Sequence, residues 1–259
     1  MLVAFSTHEE TLRRITAVVP RGEGVHATAD WHSFAVRAPQ GSCRVIGIPS
    51  GDAWMPQSAE FAAARLEPLI LVTPRAGEWR PLVKTIVPTD VVWSADIERE
   101  LWTKVRLATT SSTLARVGEC FRQATQLPPS LREALALACT ATRPVASVAE
   151  LGAFIGRDRR TVWRQWSQSR EASDMLRIED VLHWLTLLRA VLQKDRHTSW
   201  RLVARSLDVH EHTLARSAQT LVGTTLGCLT FQGPHQVKAA FVDQVLTKVG
   251  CQGAWDILR

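Results

Sequence analysis

The residues in this chain best equipped for a task are arginines. Arg157-Asp-Arg-Arg-Thr-Val-Trp-Arg164 places four guanidinium groups in eight residues. Each is permanently charged, planar and able to bond two acceptors at once, a fork that matches a phosphate or the O6/N7 edge of guanine. At helical spacing Val162 turns inward, while Arg159, Arg160, Trp163 and Arg164 turn outward around Thr161. A solvated basic face is the ordinary reading of such a cluster. Its place in a larger pattern gives it another.

That pattern is an internal echo. Ala149-Glu-Leu-Gly-Ala-Phe-Ile-Gly-Arg-Asp-Arg-Arg-Thr-Val-Trp-Arg164 aligns with Arg201-Leu-Val-Ala-Arg-Ser-Leu-Asp-Val-His-Glu-His-Thr-Leu-Ala-Arg216 at a constant offset of 52 residues. Each copy has an apolar residue followed by a small one (Leu151-Gly152, Val203-Ala204), then an apolar residue before the turn (Ile155, Leu207). Each then has Thr-apolar-x-Arg. Two helices joined by a three- or four-residue turn approach closely, so a small residue is expected at the crossing. Gly156 and Asp208 suit a turn position with positive φ, and Asp158 suits the N-cap of the second helix. In the second copy His212, Thr213 and Arg216 are the outward residues.

Other chemistries lack their residues. The five cysteines, at 43, 120, 139, 228 and 251, form no C-x-x-C and no cluster with histidine, so neither a disulfide framework nor a zinc site is expected. No G-x-G-x-x-G, no phosphate-binding P-loop and no G-x-S-x-G elbow occurs. His8, His26 and His32 have no spaced acid or nucleophile partner. No cofactor, metal or catalytic residue is expected, and the chain is not read as an enzyme.

The elements that position these residues divide the chain. Residues 1–130 carry 14 basic and 13 acidic side chains, residues 131–259 carry 17 and 12, and the whole is +6. A nearly neutral half joined to a basic half suits a sensor or scaffold tethered to a polyanion-binding domain. In the first half, strands are expected at 2–6, 25–29, 44–48, 69–73 and 90–93. Helices are expected at 8–19, 31–37, 57–66, 78–86 and 97–107. Strands alternating with helices of about ten residues argue for βαβ units and a parallel sheet covered on both faces. Residues 108–130 read as a linker: small and polar at 108–113, open to helix at 114–126, with Pro128 and Pro129 breaking the chain and Ser130 a plausible N-cap with Glu133. From 131 onward everything reads as helix, including 237–249. No apolar run approaches the ~18–20 residues that span a bilayer, and no secretory leader is visible, so the expected location is cytoplasmic.

Residues 131–229 resemble the AraC/XylS-type DNA-binding domain, two helix-turn-helix units joined by a linker helix. The resemblance rests on 131–140 as the leading helix, on Arg143-Pro-Val-Ala-Ser-Val-Ala-Glu-Leu151 and on Gly156. It rests also on the Arg164-x-Trp166 ending and on 177–192 as the linker helix. The second unit departs from the family at Asp208-Val209, where Gly-Phe is usual. Residues 1–107 resemble the receiver domain of response regulators, a flavodoxin-like fold, without its phosphorylation chemistry. Ser6-Thr7-His8 stands where that family has an acidic pair, Pro49-Ser50 where it has the phosphoacceptor Asp, and no Lys follows 90–93. Only Thr73 matches; Asp52 is a displaced candidate whose ordinary reading is a turn residue in Ser50-Gly51-Asp52.

The resemblance implies an α/β plus all-α architecture, with a receiver-like domain (1–107), a linker (108–130), a double helix-turn-helix domain (131–229) and a helical extension (230–259). It implies phosphorylation-independent control of transcription. Arg159, Arg160, Thr161, Trp163, Arg164, His212, Thr213 and Arg216 would bind DNA, and double-stranded DNA, RNA polymerase and a second copy of the chain would be partners. Trp93, Ile97, Leu101 and Trp102 form the stripe expected either to pair two copies or to pack on the sheet. The alternative function is a helical protein-interaction module that does not read DNA.

Overall fold

The computed structural model describes residues 1–48, 68–75, 88–169, 176–195 and 198–251. The helices expected at 57–66 and 78–86, and Asp52, lie outside them. The chain forms two compact units, Met1–Ser112 and Thr113–Arg259.

In the first unit β1 (Leu2–Ser6), β2 (Val25–Thr28), β3 (Cys43–Gly47), β4 (Leu69–Thr73) and β5 (Asp90–Trp93) form one sheet in the order β2-β1-β3-β4-β5. Every neighbouring pair is parallel, with Ala4 opposite Ala27 and Val45, and Leu71 opposite Ile46 and Val91. The strands alternate their side chains between two cores, as period-2 geometry requires. Leu2, Ala4, Cys43, Val45, Ile70, Val72 and Val92 pack on one face with Ile15 of α1 (Glu9–Ala17). Val3, Phe5, Ile46, Leu69 and Leu71 pack on the other with Phe34 of α2 (Trp31–Arg37). Burial on both faces explains why these strands read as continuous apolar runs.

A wide helical turn at Ile97–Leu101 leads into α3 (Trp102–Gln123). Ile97 and Leu101 are fully buried in the first core and Trp102 packs against it. Ile97 and Leu101 of the expected stripe therefore pack on the sheet, while Trp93 and Trp102 are half-buried. The two units divide inside the stretch 108–130, and they do so within α3, which is helical through the small polar residues and on to Gln123. Thr110 and Thr113 are buried, and Leu114, Val117, Cys120 and Phe121 belong to the second core. The small polar run reads as a loop only until its hydroxyl-bearing residues are seen to be enclosed.

The second unit is helical. Its elements are α4 (Pro129–Thr140), α5 (Val148–Ala153), α6 (Arg159–Gln168), α7 (Ile178–Gln193), α8 (Trp200–Ser206), α9 (Glu211–Ser217), α10 (Leu226–Gln232) and α11 (His235–Phe241). A further helical turn follows at Val242–Leu246. Helix α4 starts one turn-position before Ser130, with Pro129 where a missing N–H costs nothing. The Ser130 hydroxyl, expected to cap it, instead donates to Gln165 Oε1 at 2.9 Å. Helix α7 is the hub: Ile178, Val181, Trp184, Leu187, Leu188 and Ala190 are enclosed. Its buried Arg189 donates to the carbonyls of Cys139 (2.9 Å) and Ala141 (2.7 Å), placing a cation on the open C-terminus of α4. No described helix is long and apolar enough to cross a membrane.

Candidate nucleic-acid interface

Helices α5 and α6 form one pair and α8 and α9 another, and their turns match bond for bond at the 52-residue offset. The Ile155 amide donates to Gly152 O at 3.1 Å and that of Arg157 to the same oxygen at 2.9 Å. In the second pair Leu207 donates to Ala204 O at 3.2 Å and Val209 to it at 3.0 Å. Gly156 has φ +61° and Asp208 φ +55°, so the left-handed residue occupies the same place in both. Ser147 caps α5 through the Glu150 amide, and Ser199 caps α8 through that of Leu202. The first pair packs on α4 and the second on α7.

The close approach expected at Gly152 is real. A Cβ there would lie 2.4 Å from the Arg157 carbonyl oxygen and 3.2 Å from Val162 Cγ2. Gly156 has open space around it, so its need is conformational alone. At the head of α6 Asp158 accepts from the Thr161 amide at 2.8 Å and its hydroxyl at 3.2 Å. The bond from that amide holds the Asp158 carboxyl below the usual carboxylate range.

Val162 and Trp166 are buried under α6, the Trp166 indole donating to Leu176 O at 3.0 Å. Arg159, Arg160 and Arg164 are exposed, and none pairs with a carboxylate among the described residues. Arg157 is exposed beside them in the turn. Trp163 is 46% exposed, yet its indole N–H donates to Glu179 Oε1 in the first turn of α7 at 3.1 Å. That bond ties the ring to the first turn of α7. Thr161 is half-buried with its hydroxyl committed to Asp158, so it shapes the helix start.

On the second pair His212, Thr213 and Arg216 are exposed, with Glu211 exposed beside them. This face is less basic than that of α6. Sequence reasoning missed Arg201 and Arg205, both exposed on α8. It also missed Arg143, which meets Glu150 at 3.2 Å and Asp208 at 3.9 Å and so touches both helix pairs. The offset alignment contains Arg201 and Arg205, but nothing in their spacing marks them.

In the first unit, the carboxyl ends of β1 and β3 flank the point where the strand order reverses, the usual ligand crevice of an open parallel sheet. Here Ser6 and Gly47 are paired, and a Cβ on Gly47 would meet Thr11 Cγ2 at 2.7 Å and Ser6 Oγ at 3.0 Å. Ser6 Oγ accepts from the His8 amide at 3.2 Å. Glu9 and Glu10 lie in α1, ion-paired with Arg13 at 3.1 Å. Thr73 is fully buried. Among the described residues no group of three His, Cys, Asp or Glu side chains could hold a metal ion.

Among known proteins, no family model, no curated protein and no solved structure matches this chain.

Proposed function

We propose that this chain is a DNA-binding regulator of transcription whose second unit grips duplex DNA through α6. The reading is carried by one observation. Two helix pairs with the same turn, the same left-handed residue and the same serine cap recur at a fixed offset, and the second helix of the first pair presents three unpaired arginines. In a helix-turn-helix unit that helix enters the major groove, where arginine is the commonest reader of guanine. In this reading Arg159, Arg160 and Arg164 contact bases or phosphates and Trp163 supplies an apolar surface held by Glu179. The second pair, through His212, Thr213 and Arg216 with Arg201 and Arg205 nearby in sequence, adds chiefly phosphate contacts.

The two resemblances extend the proposal. An AraC/XylS-type double helix-turn-helix domain would be attached to a flavodoxin-like, receiver-type domain that works without phosphotransfer. At the carboxyl ends of β1 and β3 stand Ser6 and Gly47, with Thr11 beside them, where an acidic pair would be needed to hold Mg²⁺. Promoter DNA, RNA polymerase and a second copy of the chain are the partners this function would use. The competing reading, a helical module that docks another protein, draws on Phe231, which is 91% exposed.

Selection of duplexes from a random pool by the full-length protein tests the reading. It is supported if an enriched motif emerges and its binding survives competition by unrelated DNA. A pool that stays random through repeated rounds would overturn it.

A further inference from the structure

Four of the five thiols are buried and Cys228 is exposed. Three of the buried ones share one region of the second core: Cys120 of α3, Cys139 of α4, and Cys251 beyond the last helical turn. Gly118 allows α3 and α4 to approach there, since a Cβ on it would lie 3.1 Å from Ala136 O and 3.4 Å from Cys139 Cβ.

Residues 249–251 lie along the end of α3. The Thr125 amide reaches Gly250 O at 3.5 Å, its hydroxyl reaches the same oxygen at 3.4 Å, and the Gln126 amide reaches Val249 O at 3.4 Å. These bonds are long, so each holds weakly. Gly250, at φ +76°, lets the segment lie flush, because a Cβ would meet Thr125 Oγ1 at 2.6 Å. Two side chains seat the segment, Cys251 and the fully buried Val249. The Cys251 thiol donates to the Cys120 carbonyl oxygen at 3.1 Å, which sets the Cys251 side chain against Cys120 itself.

We propose that Cys120 and Cys251 are a redox pair, closed to a disulfide by a hydroperoxide, which fastens the 249–251 segment to α3. The two cysteines stand 131 positions apart in the chain, so a link between them would close a long loop. Cys251 lies at the margin of the core, 8% exposed, where a small oxidant has the shortest way in. Cys139 is enclosed, and burial pushes its thiol up.

The Cys251 thiol beside it favours the thiolate of Cys120, while the Cys120 neighbour and burial oppose that of Cys251, so Cys120 is the attacking group. Its sulfur attacks one peroxide oxygen and the O–O bond breaks. With one proton taken up, this leaves a sulfenic acid on Cys120 and one water. Cys251 then loses its proton and attacks the sulfenic sulfur. The S–S bond forms, the S–O bond breaks, and the departing hydroxide takes that proton as a second water. The two sulfurs together lose two electrons, which reduce the peroxide.

The test uses the full chain, reduced and then treated with a small molar excess of hydrogen peroxide. Free thiols are alkylated and the digest is mapped by mass spectrometry. The expected product is one intramolecular link between the Cys120 and Cys251 peptides, lighter by two hydrogen atoms and reversed by dithiothreitol. Cys228 is the internal competitor, because it is exposed and hydrogen bonds from Thr225 and Thr224 lower its thiol. Oxidation confined to Cys228, or a link through Cys139, overturns the proposal. Cys228→Ser must leave the link intact and Cys251→Ala must abolish it, with circular dichroism confirming that each variant folds. The map of the unsubstituted protein decides the matter without either variant, and independently of whether the protein binds DNA.

Discussion

Replacing Gly152 by alanine should destabilise the helical unit, although in an ordinary helix the same change would stabilise it. Alanine outranks glycine by about 0.8–1 kcal/mol of helix propensity, and Gly152 lies within α5. Against that gain, the new methyl would sit 2.4 Å from the Arg157 carbonyl oxygen, about 1 Å inside an ordinary contact. Opening the turn by that amount brings an overpacking cost of about 1–3 kcal/mol. It also strains the 2.9 Å bond from the Arg157 amide to Gly152 O, at about 1 kcal/mol. The net expectation is a loss of about 2 kcal/mol. Urea unfolding of the full chain, followed by far-ultraviolet circular dichroism, reads the shift in midpoint. Ala204→Gly at the matching position of the second pair should also destabilise, for the opposite reason. It removes a buried methyl, about 0.8 kcal/mol, along with about 1 kcal/mol of helix propensity. The sign of the Gly152 change is the test: a variant more stable than the parent would refute the steric account of the turn.

Asp208 sits at φ +55°, where a β-branched residue is strained, so Asp208→Val should cost about 1–2 kcal/mol while Asp208→Gly keeps or raises stability by the same urea assay. The Arg14 guanidinium, 2.7 Å from Glu98, lowers that carboxyl to about 2. Because the folded value is depressed, the pair's contribution is fully present above the unfolded value of about 4.3 and is lost as pH falls through about 2. Carboxyl-carbon NMR should find the Glu98 titration near that value, and Arg14→Gln should return it to the ordinary range. Glu179→Ala should free the Trp163 indole while the fold persists, seen as a red-shifted tryptophan emission, whereas Glu179→Gln keeps an acceptor and should leave the spectrum unchanged.

Local periodicity made several elements legible. Strands at 69–73 and 90–93 were placed to the residue, because a continuous apolar run between turn residues is what a strand buried on both faces requires. The repeat at 149–164 and 201–216 was legible because turn chemistry leaves marks: a small residue at the crossing, a glycine or aspartate at positive φ, and the aspartate cap of α6. What tertiary packing decides was not legible. Residues 108–113 look like a linker until Thr110 and Thr113 are enclosed within one long helix. Ser130 looks like a cap until Pro129 starts the helix before it. The hold of Glu179 on Trp163 spans 16 residues with no local signature. The stripe of Ile97 and Leu101 has helical spacing whether it faces a sheet or a second chain, and the sheet takes it.

The central claim is that α6 grips duplex DNA through Arg159, Arg160 and Arg164. The measurement that tests it most directly is affinity for a selected duplex across a salt series, for the parent and the triple alanine variant. Each arginine that neutralises a phosphate contributes about 0.9 to the slope of log K against log [salt]. One that bonds guanine contributes about 1–3 kcal/mol and a preference at one base pair. The account predicts a steep parent slope, made shallower by about 0.9 for each phosphate contact removed, with circular dichroism unchanged because all three side chains are exposed. Equal affinities and equal slopes for the two proteins would contradict it.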